Sequence, residues 1–222
     1  MRVPFRRGEH FGQRLAHPGR GLRARHVRGE GALRAALGAA PGLRPVCRQG
    51  LEAGGHRGMF LGTELGTQLG TFALLPQVVQ AVQIPVIAAG GIADAAGVRA
   101  AMALGAAGVQ VGTAYLCCPE ATTTRLHRAA LMSEAARHTE LTTLFSGRPA
   151  RGIVNRLMRE LGPLHPAAPA FPLATAAVSP LRAHFEALGR TDCTPLWSGQ
   201  NASSCQTLPA TEVTAALARG FD

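Results

Sequence analysis

Three short apolar runs, each ending in glycine and spaced by a helical stretch, most tightly limit what this chain can fold into. From Val46 onward the sequence alternates strand-like runs with helical periodicity, which is the grammar of parallel βα units. Ile84 to Ala89 reads as a buried strand, with Pro85 tolerable near its start, and it runs into Gly90 and Gly91. A further strand is expected at Gly108 to Gly112. Ahead of the first run, Leu75, Val78, Val79 and Val82 fall at i, i+3, i+4 and i+7, and Pro76 sits where a first helical turn accepts it. Between the two strands Asp94 is the expected N-cap, Val98, Ala101 and Met102 form an apolar stripe, and Gly105 is the C-terminal stop.

The remainder is less regular. Ile153, Val154, Leu157, Met158 and Leu161 predict another amphipathic helix, residues 163–180 read as a Pro/Ala-rich loop, and Ala210 to Arg219 predict a terminal helix. The echo GTELGTQLGT reads as a Gly-rich loop, and no repeat of solenoid length accompanies it.

Charge decides the domain boundary. Of the formal net charge of +10, nearly all belongs to residues 1–48, where eleven arginines face only Glu9 and Glu30; beyond them twelve arginines face eleven acids. Residues 1–45 are thus expected to be an Arg-rich leader of doubtful order, and 46–222 the folded part. A basic arm for nucleic acid is the alternative, and the nearly neutral remainder argues against a nucleic-acid face on the folded part. No stretch approaches the ~18 apolar residues a membrane span needs, and no apolar signal region follows the N-terminal arginines, so a cytoplasmic protein is expected. The five cysteines are odd in number and lack CxxC spacing, which predicts reduced thiols and no structural metal.

Three glycine-containing loops follow three expected strands: Gln49 to Gly58, Ala89 to Asp94, and Gln110 to Thr113. In a parallel barrel that end of the strands carries the active site, and the last two such loops hold phosphate on backbone N–H groups. Glycines turning tight corners would look the same for any one loop, whereas three in register favour a site. His56, flanked by glycines and by Arg57 as an anion partner, is the candidate acid or base, weighed against a histidine bonded within its loop. The other seven histidines lack such a setting and receive no role.

In this order and spacing, QGLEAGGHRG, IPVIAAGGIAD and GVQVGT resemble nitronate monooxygenases, the family once called 2-nitropropane dioxygenases; LFSGRPARGIVNRLMREL, APAFPLA and PLWSGQNAS extend the likeness toward the C-terminus. The resemblance implies an α/β fold, the C-terminal portion of a (β/α)8 TIM barrel (its sixth, seventh and eighth strands) followed by a helical C-terminal region. It implies non-covalent FMN, held through Gln49 and Gly54, Gly90 and Gly91, and Gln110, Val111, Gly112 and Thr113, with the phosphate on the latter two loops. His56 would then contact the nitro group or take its α-proton, in the oxidative denitrification of a nitronate or nitroalkane by O2 to a carbonyl compound and nitrite. The rival enzyme is an FMN-dependent enoyl-carrier-protein reductase, a related barrel with a similar GGH loop; a non-enzymatic fragment is the other alternative. The earlier barrel strands have no counterpart in residues 1–45, whose Lys-free bias suggests a frame change or displaced start. Activity of the chain by itself is in question on that reading, and unpaired sheet edges are expected to favour self-association.

Overall fold

The computed structural model describes residues 46–59 and 64–222. The leader read from composition therefore lies outside the described residues. Three parallel strands, β1 (Val46–Gln49), β3 (Val86–Ala89) and β4 (Gly108–Gln110), form one sheet in the order β1-β3-β4. Its register pairs Cys47 with Ile87 and Ala88 with Val109. Parallel neighbours need crossovers, and the connecting helices are α1 (Thr71–Ala81) and α2 (Ala95–Ala103). The two faces of the sheet separate cleanly. Val86, Ala88 and Val109 pack with Leu75, Val78, Val98 and Ala101 of the helices, while Cys47, Ile87 and Ala89 cluster on the opposite face. This is the side-chain alternation of a strand buried on both sides.

The expected stripe on α1 is present: Leu75, Val78 and Val82 are buried and Val79 packs beside them. Its start differs from the expectation. The helix begins at Thr71, so Pro76 lies inside it rather than in the first turn. A distant side chain explains the difference. The Glu52 carboxylate accepts from Thr71 N at 2.9 Å on both oxygens and from Thr71 Oγ1 at 2.8 Å, neutralising the helix end with an anion from nineteen residues earlier. α2 follows its local signals. Asp94 accepts from Gly97 N at 2.7 Å. At the other end Gly105 N bonds Met102 O and Ala106 N bonds Ala101 O, the paired contacts of a Schellman stop, with Gly105 at φ +92°.

After β4 the chain makes α3 (Arg125–Leu131) and then a second sheet that the sequence pattern did not predict. Its antiparallel strands are β2 (Gly55–His56), β5 (Thr139–Thr142) and β6 (Ala150–Ile153), in the order β2-β6-β5. Ile153 is thus a strand residue, its N–H bonded to Leu196 O at 2.8 Å, and the expected helix starts later as α4 (Arg156–Leu161). Asn155 sets that boundary: its side chain caps Met158 N at 3.2 Å and donates to Thr191 O and Thr194 O.

The stretch expected to be a loop also changes state. Helix α5 (Leu173–Ala187) begins inside it, with Pro180 in its interior. Its alanines are strong helix formers, Ala174 is fully buried, and Thr175 Oγ1 donates to Phe145 O at 3.0 Å, tying the first turn down. Residues 65–67 of the GTELGTQLGT echo form one 3₁₀ turn and Thr71 opens α1, so the loop expected there is partly helical. The terminal helix appears as α6 (Ala210–Ala218), placing Val213 and Leu217 in the core beside α2. No helix among the described residues is long and apolar enough to cross a membrane.

Candidate active site

Parallel strands end together, so the loops after β1, β3 and β4 meet at one edge of the sheet. Gly50 N bonds Ala89 O at 2.8 Å, joining the first two. The Glu52–Thr71 pair joins them again, because Thr71 Oγ1 also donates to Gly90 O at 3.0 Å. Gly90 and Gly91 take φ of +116° and +74°, and a Cβ at Gly90 would lie 2.9 Å from Thr71 Oγ1 and 3.1 Å from Ala53 N, so only glycine turns here. The third loop is held by a fourth segment. Thr113 Oγ1 accepts from Gly199 N at 3.0 Å, Gln200 N bonds Glu52 O at 2.9 Å, and Asn201 Nδ2 donates to Gly91 O at 2.9 Å. Ser198 to Asn201 therefore bridges all three loops. Gly54 packs directly on this segment's backbone, leaving no room for a side chain.

The residues expected at the cofactor lie as follows. Gly54, Gly90, Gly91, Gly112 and Thr113 stand around this junction, while Val111 is buried in the apolar core. Gln49 and Gln110 end neighbouring strands, but their amides already have protein partners. Gln49 donates to His56 O at 3.3 Å and accepts from Gly58 N at 3.3 Å, clamping the β2 loop. Buried Gln110 accepts from Cys47 Sγ at 2.7 Å. Thr113 is no helix cap; its hydroxyl oxygen holds the bridging segment instead.

His56 sits on β2 opposite Ala150 of β6. Its Nε2 lies 2.7 Å from Ser146 Oγ, and its ring faces Trp197 and Phe171 at centroid distances of 5.5 Å and 6.2 Å. The Trp197 ring is in turn braced edge-on by Phe145 at 5.8 Å. Phe171 is brought in by Gly147, whose φ of +81° and missing side chain let the Pro169–Phe171 backbone press against the turn. The imidazole thus meets Ser146 beside an aromatic wall. Arg57, expected as an anion partner, has a buried guanidinium that donates to Gln68 Oε1 at 2.6 Å, Gln49 O at 3.2 Å and Ala53 O at 3.4 Å, which braces the loop.

Two further basic residues set the frame. Arg151 is buried on β6 and donates to Leu51 O at 2.9 Å and to Thr139 O at 3.0 Å, stapling the His56 loop to the antiparallel sheet. Burial pulls its guanidinium below the ordinary arginine value, with Glu52 and Glu140 opposing. His127 shares a hydrogen bond with Trp197 O at 3.2 Å, and burial holds its pKa below the usual 6.5. All five cysteines are buried and none forms a disulfide. Cys205 donates to Thr113 O at 3.2 Å, and burial with Cys117 alongside pushes it up to about 12, leaving a structural thiol. Among the described residues no group of His, Cys, Asp and Glu could hold a metal ion.

Ser146, Phe171 and Trp197 were not singled out from sequence as residues. The only signal lay in the segments LFSGRPARG, APAFPLA and PLWSGQNAS, which carry them.

Comparison with known proteins follows this geometry. A family model described as nitronate monooxygenase matches residues 33–220. Probable nitronate monooxygenases from Staphylococcus aureus strains JH9 and MRSA252 are each 40% identical over 143 residues, covering 64% of this chain and 40% of the relative. The nitroalkane oxidase from Streptomyces ansochromogenes superposes with a TM-score of 0.79 at 38% identity, covering 88% of this chain and 56% of the other. FabK from Thermotoga maritima superposes with a TM-score of 0.62 at 28% identity, covering 81% and 55%. The chain spans about two fifths of the length of the curated relatives it matches. With the parallel βα units in place and the match running over most of the sequence, the chain belongs to the nitronate monooxygenase family.

Proposed function

We propose that this chain carries the substrate-activating side of an FMN-dependent nitronate monooxygenase, which converts nitronates or nitroalkanes with O2 to carbonyl compounds and nitrite. The observation that carries the reading is the placement of His56, on the loop that also joins the glycine turns, bonded to Ser146 and facing Trp197 and Phe171.

The glycine loops suit a phosphate-bearing cofactor. Thr71 holds Gly90 O and Asn201 holds Gly91 O; in a trans peptide the next N–H points the opposite way, so the N–H groups of Gly91 and Ile92 face away from those partners. Positive-φ glycines are the residues from which an anion nest is built, and Thr113 on the third loop offers a hydroxyl. Gly90, Gly91, Gly112 and Thr113 would hold FMN by its phosphate, with Gly54 and the Gln49 and Gln110 ends of the strands beside it. Bound there, FMN would supply the electron transfer that no side chain can.

The protein's own part is binding and proton transfer. A neutral His56 imidazole accepts the α-proton of a nitroalkane, and the imidazolium then faces the nitronate anion it has generated. With a nitronate supplied directly, no proton need be removed and His56 only orients the nitro group. Trp197 and Phe171 offer apolar surface to an alkyl chain. His56→Asn is therefore expected to lower turnover of neutral nitroalkanes by about 10²-fold or more while largely sparing nitronates, the range of a lost general base. Oxygen uptake with each substrate form, on protein whose retained FMN has been measured by absorption, checks this. Equal losses for both forms would remove His56 as the base.

The enoyl-carrier-protein reductase reading has less behind it. The FabK superposition is looser than that of the nitroalkane oxidase, at lower identity. NADH-dependent enoyl reduction without nitronate-dependent oxygen uptake would favour it.

A further inference from the structure

We propose that Arg148 is a specificity-determining residue, whose guanidinium draws an anionic substrate, the nitronate, to the His56 site ahead of the neutral nitroalkane. The inference rests on the reading of the site as one for nitronates and nitroalkanes, and it names the group that tells the two forms apart.

The aromatic wall beside His56 is graded in depth. Phe145 is buried, Trp197 is partly buried and Phe171 is half exposed, so Phe171 marks the side open to solvent. Arg148 lies on that side. Its Cζ stands 5.6 Å from the centroid of the Phe171 ring, whose own centroid is 6.2 Å from that of His56. Two anchors place the guanidinium. At the backbone, Arg148 O and N lie 3.2 Å and 3.4 Å from Ser146 Oγ, the atom that also meets His56 Nε2 at 2.7 Å. At the tip, Nη2 donates to Met59 O at 3.0 Å, just past His56 on the same loop. The side chain therefore runs alongside the His56 loop, with its charge at the outer end of the aromatic wall.

No carboxylate neutralises that charge among the described residues. Arg137, Arg156, Arg182 and Arg190 are each paired with an Asp or Glu, and Arg148 is not. Arg57 and Arg151 are buried and brace the loop through backbone carbonyls, whereas Arg148 is partly exposed. A guanidinium stacked on a ring keeps its planar fork of N–H donors at the rim of that ring. A nitronate spreads its negative charge over two oxygens in one plane, as a carboxylate does, and such a pair of oxygens suits the fork. The parent nitroalkane carries the same oxygens without the net charge. Coulomb attraction therefore separates the two forms, and at a partly exposed cation that attraction acts on encounter and is screened by salt.

Trp197 is the only tryptophan of the chain and its ring lies 5.5 Å from that of His56, so its fluorescence reports what enters the site. A primary alkyl nitronate and its parent nitroalkane are mixed separately with the full chain, with FMN present and O2 excluded. The fast quench on mixing, taken to saturation, gives a Kd for each form before any turnover. In the unmodified protein the nitronate should bind about tenfold tighter than the nitroalkane at low salt, and its Kd should rise with added salt. Arg148→Gln should weaken nitronate binding about tenfold, flatten the salt dependence and leave the nitroalkane Kd unchanged. Arg148→Lys, which keeps the charge, should restore the salt dependence. Equal weakening of both forms in folded Arg148→Gln would make Arg148 a brace for the loop and overturn the proposal. A nitronate bound no tighter than the nitroalkane by the unmodified protein overturns it even if no variant folds. Failure of the site reading looks different: neither form would give a saturating quench in the unmodified protein, and the inference would fall with it.

Discussion

The parallel sheet and the antiparallel sheet each have three strands, yet they are held by different interactions. Around β1, β3 and β4 the contacts are apolar: Leu75 and Val78 of α1, Val98 and Ala101 of α2, and Val213 and Leu217 of α6 close on Val86, Ala88 and Val109. Around β2, β5 and β6 the decisive contacts are directional. Arg151 reaches Leu51 O and Thr139 O, Gln49 clamps the His56 loop, His56 meets Ser146, and His127 holds Trp197 O. Apolar burial scales with area and tolerates exchange of similar side chains. A polar network tolerates little, because every member lost strands a buried partner. The first sheet therefore carries stability, and the second sets where the His56 side chain points.

The largest expected effect would test the first half of that contrast. Leu75→Ala removes a side chain that is only 1% exposed in the centre of the apolar layer, and should cost about 2–5 kcal/mol of unfolding free energy. Denaturant titration measures it; a loss under about 1 kcal/mol would mean the layer is not packed as a core. Arg151→Met should cost somewhat less, about 2–4 kcal/mol, because it strands the Leu51 and Thr139 carbonyls while keeping side-chain volume. Its effect should also be local. Amide exchange should quicken at Gly55 to Arg57 and Thr139 to Thr142 well before it does at Val86 to Ala89. Uniform quickening across both sheets would erase the distinction between them.

The smallest effect is a pH dependence. Unfolded His127 takes up a proton near its ordinary 6.5, whereas the folded, buried ring resists it. Its contribution is thus intact above 6.5 and is lost as pH falls through the depressed folded value. The melting temperature should decline from pH 7.5 to 5.5, and less steeply in a folded His127→Gln. Identical slopes would place the acid sensitivity elsewhere.

How much of this was legible depends on the range of the signal. Helix α2 was readable from end to end because its cap, stripe and stop all lie within it. Helix α1 was readable in its stripe and not in its start, since the carboxylate at Thr71 belongs to Glu52. Strand β5 carries two threonines and a glutamate with no clean alternation, and β6 has Arg151 buried among apolar neighbours, so periodicity gave neither away. Helix α5 was hidden by prolines that usually interrupt helices, although its alanines favoured one.

The candidate site divides along the same line. The three glycine loops could be named because glycines and strand ends announce a βα corner within a few residues, whereas Gln49, Gly54, Gly90, Gly91 and Gln110 to Thr113 were picked out within them by the family resemblance. His56 could be named because its loop could be. By itself, the sequence determined the parallel βα unit, the glycine turns at its edge and the histidine among them, all consequences of local backbone preference and short-period burial. Only the tertiary structure decided that Ser146, ninety residues away, meets His56, and that Trp197 and Phe171 wall it in. Those meetings are set by the pairing of β2 with β6 and the packing of the turn after β5, and no local propensity encodes a contact between segments that far apart.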